Sequence, residues 1–173
     1  MISYGLSAAA STRVANELGA GNPDKAKHAM FITLKLSILL AIAVDLVLFF
    51  GHNVWASLFS DSAEIINKFA AMTPLLLISF VFDFIQGILS GVTRGCGWQS
   101  FAMYINLATF YLIGMPIASL LAFKFSLHSQ GLWLGLICGL ACQSTGLLLL
   151  TLMTRWGKVE VSTNSNRENL CLA

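Results

Sequence analysis

The hydrophobic pattern along this chain is continuous rather than alternating. Four apolar stretches are each long enough to cross a ~30 Å hydrocarbon core as a helix. They are His28–Gly51, interrupted by Lys35 and Asp45; Phe69–Val92, interrupted by Asp83; and the uncharged Phe101–Phe123 and Gly131–Met153. None breaks into the ~10-residue alternating units of a barrel strand, so the pattern predicts helices. Turn-forming intervals separate them at Gly19–Pro23, His52–Asn67, Gly95–Gly97 and Lys124–Gln130. Ahead of the first stretch, Met1–Ser11 is small and apolar and leads straight into Arg13 and Glu17. As a helix it reaches about half way across a bilayer. The prediction is an all-α integral membrane protein built of a half-helix plus four transmembrane helices. A half-helix in lipid needs other protein beside it, so it reads as an entry midway through a longer, transporter-sized chain. An interfacial segment starting at Met1 is the alternative. The expected organisation is 1–27, truncated helix and cytoplasmic loop; 28–156, four-helix bundle; 157–173, polar disordered tail.

Composition narrows the class. Hydrophobic residues make up 57% of the 173 and charged ones 10%, against roughly 25% charged in an average soluble domain. Only Asp83, Arg94 and Lys124 carry charge between Phe69 and Thr154. Such a surface excludes a soluble enzyme, a nucleic-acid binder and a disordered chain. Cys96, Cys138, Cys142 and Cys171 form no CxxC pair and no zinc spacing. There is no Ser/His/Asp arrangement, phosphate-cradling loop or HExxH, so neither enzyme chemistry nor a cofactor or metal is expected. Arg13, Lys25, Lys27, Arg94, Arg155, Lys158 and Arg167 fall on one side of the predicted spans, and Lys68 and Lys124 on the other. That asymmetry puts the C-terminus in the cytoplasm, with Trp98 and Trp156 as interface anchors on that side and Trp55 on the other.

Asp83 is the leading candidate for chemistry. Eleven residues before Arg94, it lies about 16 Å from that end of its helix, near the bilayer midplane. A carboxylate there costs about 3 kcal/mol on insertion scales and persists where it faces protein or water; taking up a proton removes its charge. Ser79, Gln86, Gly87, Ser90 and Gly91 share its helical face, while Phe82, Phe84, Ile85, Ile88 and Leu89 cover the others. The competing reading is a structural carboxylate bonded to a neighbouring helix. Asp45, nearer the outer boundary, reads as a snorkelling or loop-facing carboxylate. Asn106 and Tyr111 join Gln86 as candidates for lining a substrate path. Pro74 and Pro116 remove backbone hydrogen bonds within helices and are candidate hinges. Gly131, Gly135 and Gly139, four apart and followed by Gln143, form a small-residue ridge for close helix packing.

Several ordered motifs resemble one family. ISYGLSAAASTRVANELGAGNP (residues 2–23) is similar to the signature after the eighth helix of plant multidrug and toxic compound extrusion (MATE) transporters. SGVTRGCGWQ (residues 90–99), Asn106-Leu107 with YLIGMP (residues 111–116), and GLWLGLICGLACQ (residues 131–143) also match. The resemblance covers about Met1 to Trp156. It implies the C-terminal lobe of a proton-coupled antiporter, from late helix 8 to helix 12, exporting organic compounds or xenobiotics. It implies H⁺ as coupling ion, with Asp83 at the acidic position of helix 10 associated with proton coupling. Implied partners are the lipid bilayer, a small organic substrate, and an N-terminal lobe or another MATE chain. The implied membrane is vacuolar or plasma. A fragment that only packs with partner helices, without transport, is the alternative.

Overall fold

A computed structural model describes residues 2–59, 62–125, 127–153 and Trp156, and its regular elements there are all helical. The expected tail, 157–173, lies outside the described residues. Helix α1 is Ile2–Gly19, α2 Pro23–Phe59 and α3 Ala63–Gly95. An arm follows, made of α4 (Gln99–Ala108), a π-helical segment (Thr109–Gly114), α5 (Met115–Ser119) and a second π-helical segment (Leu120–Lys124). Helix α6, His128–Met153, closes the chain. Four helices, within Pro23–His52, Glu64–Gly95, Gln99–Lys124 and His128–Met153, are long and apolar enough to span a membrane.

Helix boundaries differ from the sequence expectation, and α3 itself begins at Ala63, inside the expected turn interval. The first helix does not stop at Ser11: it continues through Arg13 and Glu17 to Gly19, about 27 Å in all. Val14 and Leu18 extend the buried face begun by Ala10, at i, i+4 and i+8, and Arg13 Nε lies 3.7 Å from Glu17 Oε1 one turn on. Charge marked the end of the lipid-compatible stretch, not of the helix. Likewise α2 runs past His52 to Phe59, with no proline on the way and Ala56 buried against the rest of the fold.

Two turns share one design. After α1, Gly21 (φ 74°) donates to Leu18 O at 3.1 Å and Asn22 to Glu17 O at 2.9 Å. After α3, Gly97 (φ 77°) donates to Arg94 O at 3.0 Å and Trp98 to Thr93 O at 2.8 Å. Both are Schellman caps, in which only glycine takes the left-handed position without strain. Pro23, at the first position of α2, has no N–H to lose there.

Helix α3 is the hub. Helices α1 and α2 pack on it and on each other, α6 packs elsewhere on it, and the arm lies along α6. The main apolar cluster joins Val14 and Leu18 of α1, Met30 of α2, and Ile88 and Val92 of α3. Trp156 is buried in that cluster with its Nε1 donating to Thr151 O at 3.1 Å, and Trp98 packs against it. Trp156 is therefore a packing residue rather than the expected interface anchor: its indole has an internal acceptor and no need of headgroup water. Leu39, Val47, Phe50, Leu112 and Phe123 remain exposed on the outer faces, the surface a bilayer would cover.

Candidate functional site

Asp83 lies on α3 twelve residues before Gly95, about 18 Å from that end. Gln86, Gly87, Ser90 and Arg94 follow it on one face at i+3, i+4, i+7 and i+11. Opposite them, α1 presents Ser3, Tyr4 and Ser7, and the two sets enclose a hollow of about 380 Å³. Phe84, Ile88 and Leu89 turn the other way and are buried in the core.

Glycines set how closely the walls approach. A Cβ added at Gly91 would collide with the Ser7 carbonyl, and one at Gly95 would stand 2.5 Å from Ser11 O. At that spacing Ser7 Oγ donates to Gly87 O at 2.6 Å and accepts from Arg94 Nη2 at 3.1 Å. Arg94 Nε also donates to Ser90 O at 3.4 Å. One serine thus ties α1 to α3 at two levels below Asp83. Among the described residues no side chain bonds the Asp83 carboxylate. It faces an open, polar hollow.

The other candidates divide. Gln86 shares the hollow with Asp83. Ser79 and Gly91, from the same predicted stripe, do not line it: both are buried, and Ser79 Oγ donates to Leu76 O at 2.7 Å. Asn106 and Tyr111 are exposed on the arm and line a separate hollow of about 420 Å³ with Met103, Leu107, Phe110 and Met115. The structure brings each pair together and does not join the two.

The proline and glycine candidates lie as follows. Helix α3 runs unbroken through Pro74. Pro116 sits in α5 between the two π-helical segments, where Met115 N–H donates to Phe110 O and Phe125 N–H to Leu120 O, five residues back in each case. Pro116 has no N–H for Leu112 O, and its ring crowds that carbonyl, which accounts for the widened turn before it. A Cβ at Gly131 would stand 2.6 Å from Ala122 N, and one at Gly135 would overlap Ala118; at Gly139 the nearest atom, Gly114 Cα, is 3.5 Å away. Gln143 is 2% exposed, and its Oε1 has no hydrogen-bond partner among the described residues.

Asp45 is not at a loop. It is half-buried fourteen residues before the end of α2, with Oδ1 buried and unpartnered among the described residues. The extension of α2 to Phe59 is what moves it inside. Just past α3, burial pushes the Cys96 thiol up to about 12. No three His, Cys, Asp or Glu side chains converge as a metal site among the described residues.

Sequence reasoning missed the α1 half of the hollow. With α1 taken as a half-helix, Ser3 and Ser7 had no partner; the signal was their i, i+4 spacing beside the buried series Ala10, Val14, Leu18. Arg94 carries only a topology signal in the sequence. The π-helical segments had a partial signal in Gly114 and Pro116.

Comparison with known proteins places the chain. The MatE family model matches residues 1–120. Protein DETOXIFICATION 18 of Arabidopsis thaliana is 54% identical over 163 residues, which are 94% of this chain and 35% of that protein. DETOXIFICATION 16 of the same plant is 44% identical over 96% of this chain and 34% of its own length. The crystal structure of the eukaryotic MATE transporter AtDTX14 superposes with a TM-score of 0.89 at 42% identity, covering 95% of this chain and 37% of that one. An inward-facing multidrug resistance MATE family transporter of the MOP superfamily gives 0.77 at 15% identity over 88% of this chain and 34% of that one, a likeness of fold. This chain, spanning about a third of the length of the curated relatives it matches, belongs to the MatE family.

Proposed function

We propose that the chain supplies part of the C-terminal lobe of a secondary transporter that exports organic compounds, xenobiotics among them, in exchange for protons, with Asp83 taking up the coupling proton. The observation that carries this reading is the placement of Asp83 deep in a span, facing a polar hollow that a proton or a small solute can enter. Protonating Asp83 removes a charge from the middle of the span, and the exported solute favours the ionised state. Coupling follows when proton and solute bias one two-state element in opposite directions. Pro74 and Pro116 are the proposed flexing points, and the Gly131–Gly139 ridge is the rigid contact that holds α6 against the arm. The proposed topology keeps the C-terminus cytoplasmic in a vacuolar or plasma membrane, with an N-terminal lobe or another MATE chain completing the cavity.

In a full-length transporter carrying this lobe, Asp83→Asn keeps size and hydrogen-bonding capacity but cannot titrate. Efflux driven by a pH gradient should collapse while expression stays near normal. Full pH-driven efflux by Asp83→Asn eliminates Asp83 as the proton site. The isolated chain in liposomes should move no solute, since one lobe cannot enclose an alternating-access cavity.

A further inference from the structure

Roughly 120° around α1 from the Asp83 hollow, a second hollow of about 490 Å³ opens between α1 and α2. Its lining is sorted by depth. Leu6 and Ala9 of α1 and Ile32 and Leu36 of α2 line one end; Arg13, Glu17, Lys25 and His28 line the other. Because the helices are antiparallel, both bring their charged residues to the same end. From Lys25 to Leu36, and from Leu6 to Glu17, is about 16 Å of helix, close to the hydrocarbon depth of one leaflet. The floor is closed, since Ala10, Val14, Ala26 and Met30 pack together beneath it. The hollow is therefore a slot between two touching helices, suited to a flexible chain.

Charge says what sits at the mouth. Glu17 is already engaged by Arg13, Nε to Oε1 at 3.7 Å. Lys25 and His28 have no side-chain partner among the described residues, and Arg13 keeps its other donors. We propose that this slot binds one anionic phospholipid of the adjoining leaflet, its phosphate at Arg13, Lys25 and His28 and an acyl chain along Leu6, Ala9, Ile32 and Leu36. A basic mouth between membrane helices above an apolar groove is the arrangement that selects acidic headgroups. Helix α1 carries this slot on one face and Ser3 and Ser7 of the Asp83 hollow on another, so the lipid braces a wall of that hollow. The proposal rests on the membrane-spanning reading and not on proton coupling.

The test is native mass spectrometry of the delipidated 173-residue chain, titrated with phosphatidylglycerol or phosphatidylcholine bearing identical tails. The first phosphatidylglycerol should bind about thirtyfold more tightly, the selectivity of two cations near a membrane surface. Arg13→Gln with Lys25→Gln should abolish that preference, and Lys68→Gln with Lys124→Gln, at the opposite end, should preserve it. Ile32→Trp, which fills the slot and keeps its charges, should remove the tight first binding. Equal affinity for the two lipids, or equal loss in the Lys68/Lys124 pair, overturns the proposal. So does displacement by millimolar inorganic phosphate, which would make it a phosphate site without a lipid. Loss of the preference in a full-length transporter carrying this lobe would mean that another segment fills the slot, and overturns it too.

Discussion

The two helix contacts built on glycine in this molecule are unlike each other. Between α6 and the arm, Gly131 and Gly135 press backbone against backbone at Ala122 and Ala118, and among the described residues no side-chain hydrogen bond crosses the contact. Between α1 and α3, Gly91 and Gly95 bring the helices just as close, but there Ser7 bridges to Gly87 and Arg94 and the contact widens into the Asp83 hollow. The same residue type thus serves dry packing at one contact and a solvent-accessible polar site at the other. What separates them is the residue beside the glycine: alanine across from the ridge, serine across from the hollow.

The largest effect should come at the ridge. Gly135→Leu drives a branched side chain into the backbone of Ala118 and should destabilise the lobe by about 3 kcal/mol or prevent its assembly. Thermal unfolding in detergent reads this. Gly139→Ala, where the nearest atom is at ordinary contact distance, should unfold like the parent chain. Equal tolerance of both would mean that the arm does not lie along this face.

Next come paired substitutions on α3. Gly91→Ala forces its Cβ onto the Ser7 carbonyl, whereas Gly87→Ala meets nothing within 4 Å. The first should cost about 1–3 kcal/mol by overpacking and the second should be nearly neutral by the same unfolding assay. If Gly87→Ala proved the more damaging, the α1–α3 hollow would be packed rather than open.

How much of this the sequence disclosed depends on whether one helix face was sufficient. Asp83 with Gln86, Gly87 and Ser90 was legible because helical spacing alone puts them together. The glycine ridge was legible for the same reason. Ser3, Ser7 and Arg94 were not, because their part depends on which helix packs against α3, and periodicity within one helix carries no information about its neighbour. The span of α1 was misjudged because charge near a membrane boundary was equated with the end of a helix. The π-helical segments around Pro116 escaped notice because a proline indicates a lost hydrogen bond but not how the next turns redistribute the rest.

A smaller effect concerns Cys96, at the foot of the hydrogen-bonded contact. Its thiol is raised from 9.0 to about 12 by burial, so the folded chain holds the proton more tightly than the unfolded one. That contribution to stability is fully present below pH 9, and it is lost as pH rises from there through about 12. Maleimide labelling of Cys96 at pH 8 should therefore be slow in the folded chain and fast after denaturation. Rapid labelling of the folded chain would mean that the α1–α3 foot is open.

If solute and proton meet at the Asp83 hollow, solute binding releases a proton. Calorimetry of a transported solute binding to the full-length transporter, in buffers of different ionisation enthalpy, counts the protons exchanged. The parent protein should release about one proton per solute bound, and Asp83→Asn should bind the solute with no buffer dependence. An undiminished proton count in Asp83→Asn would contradict it.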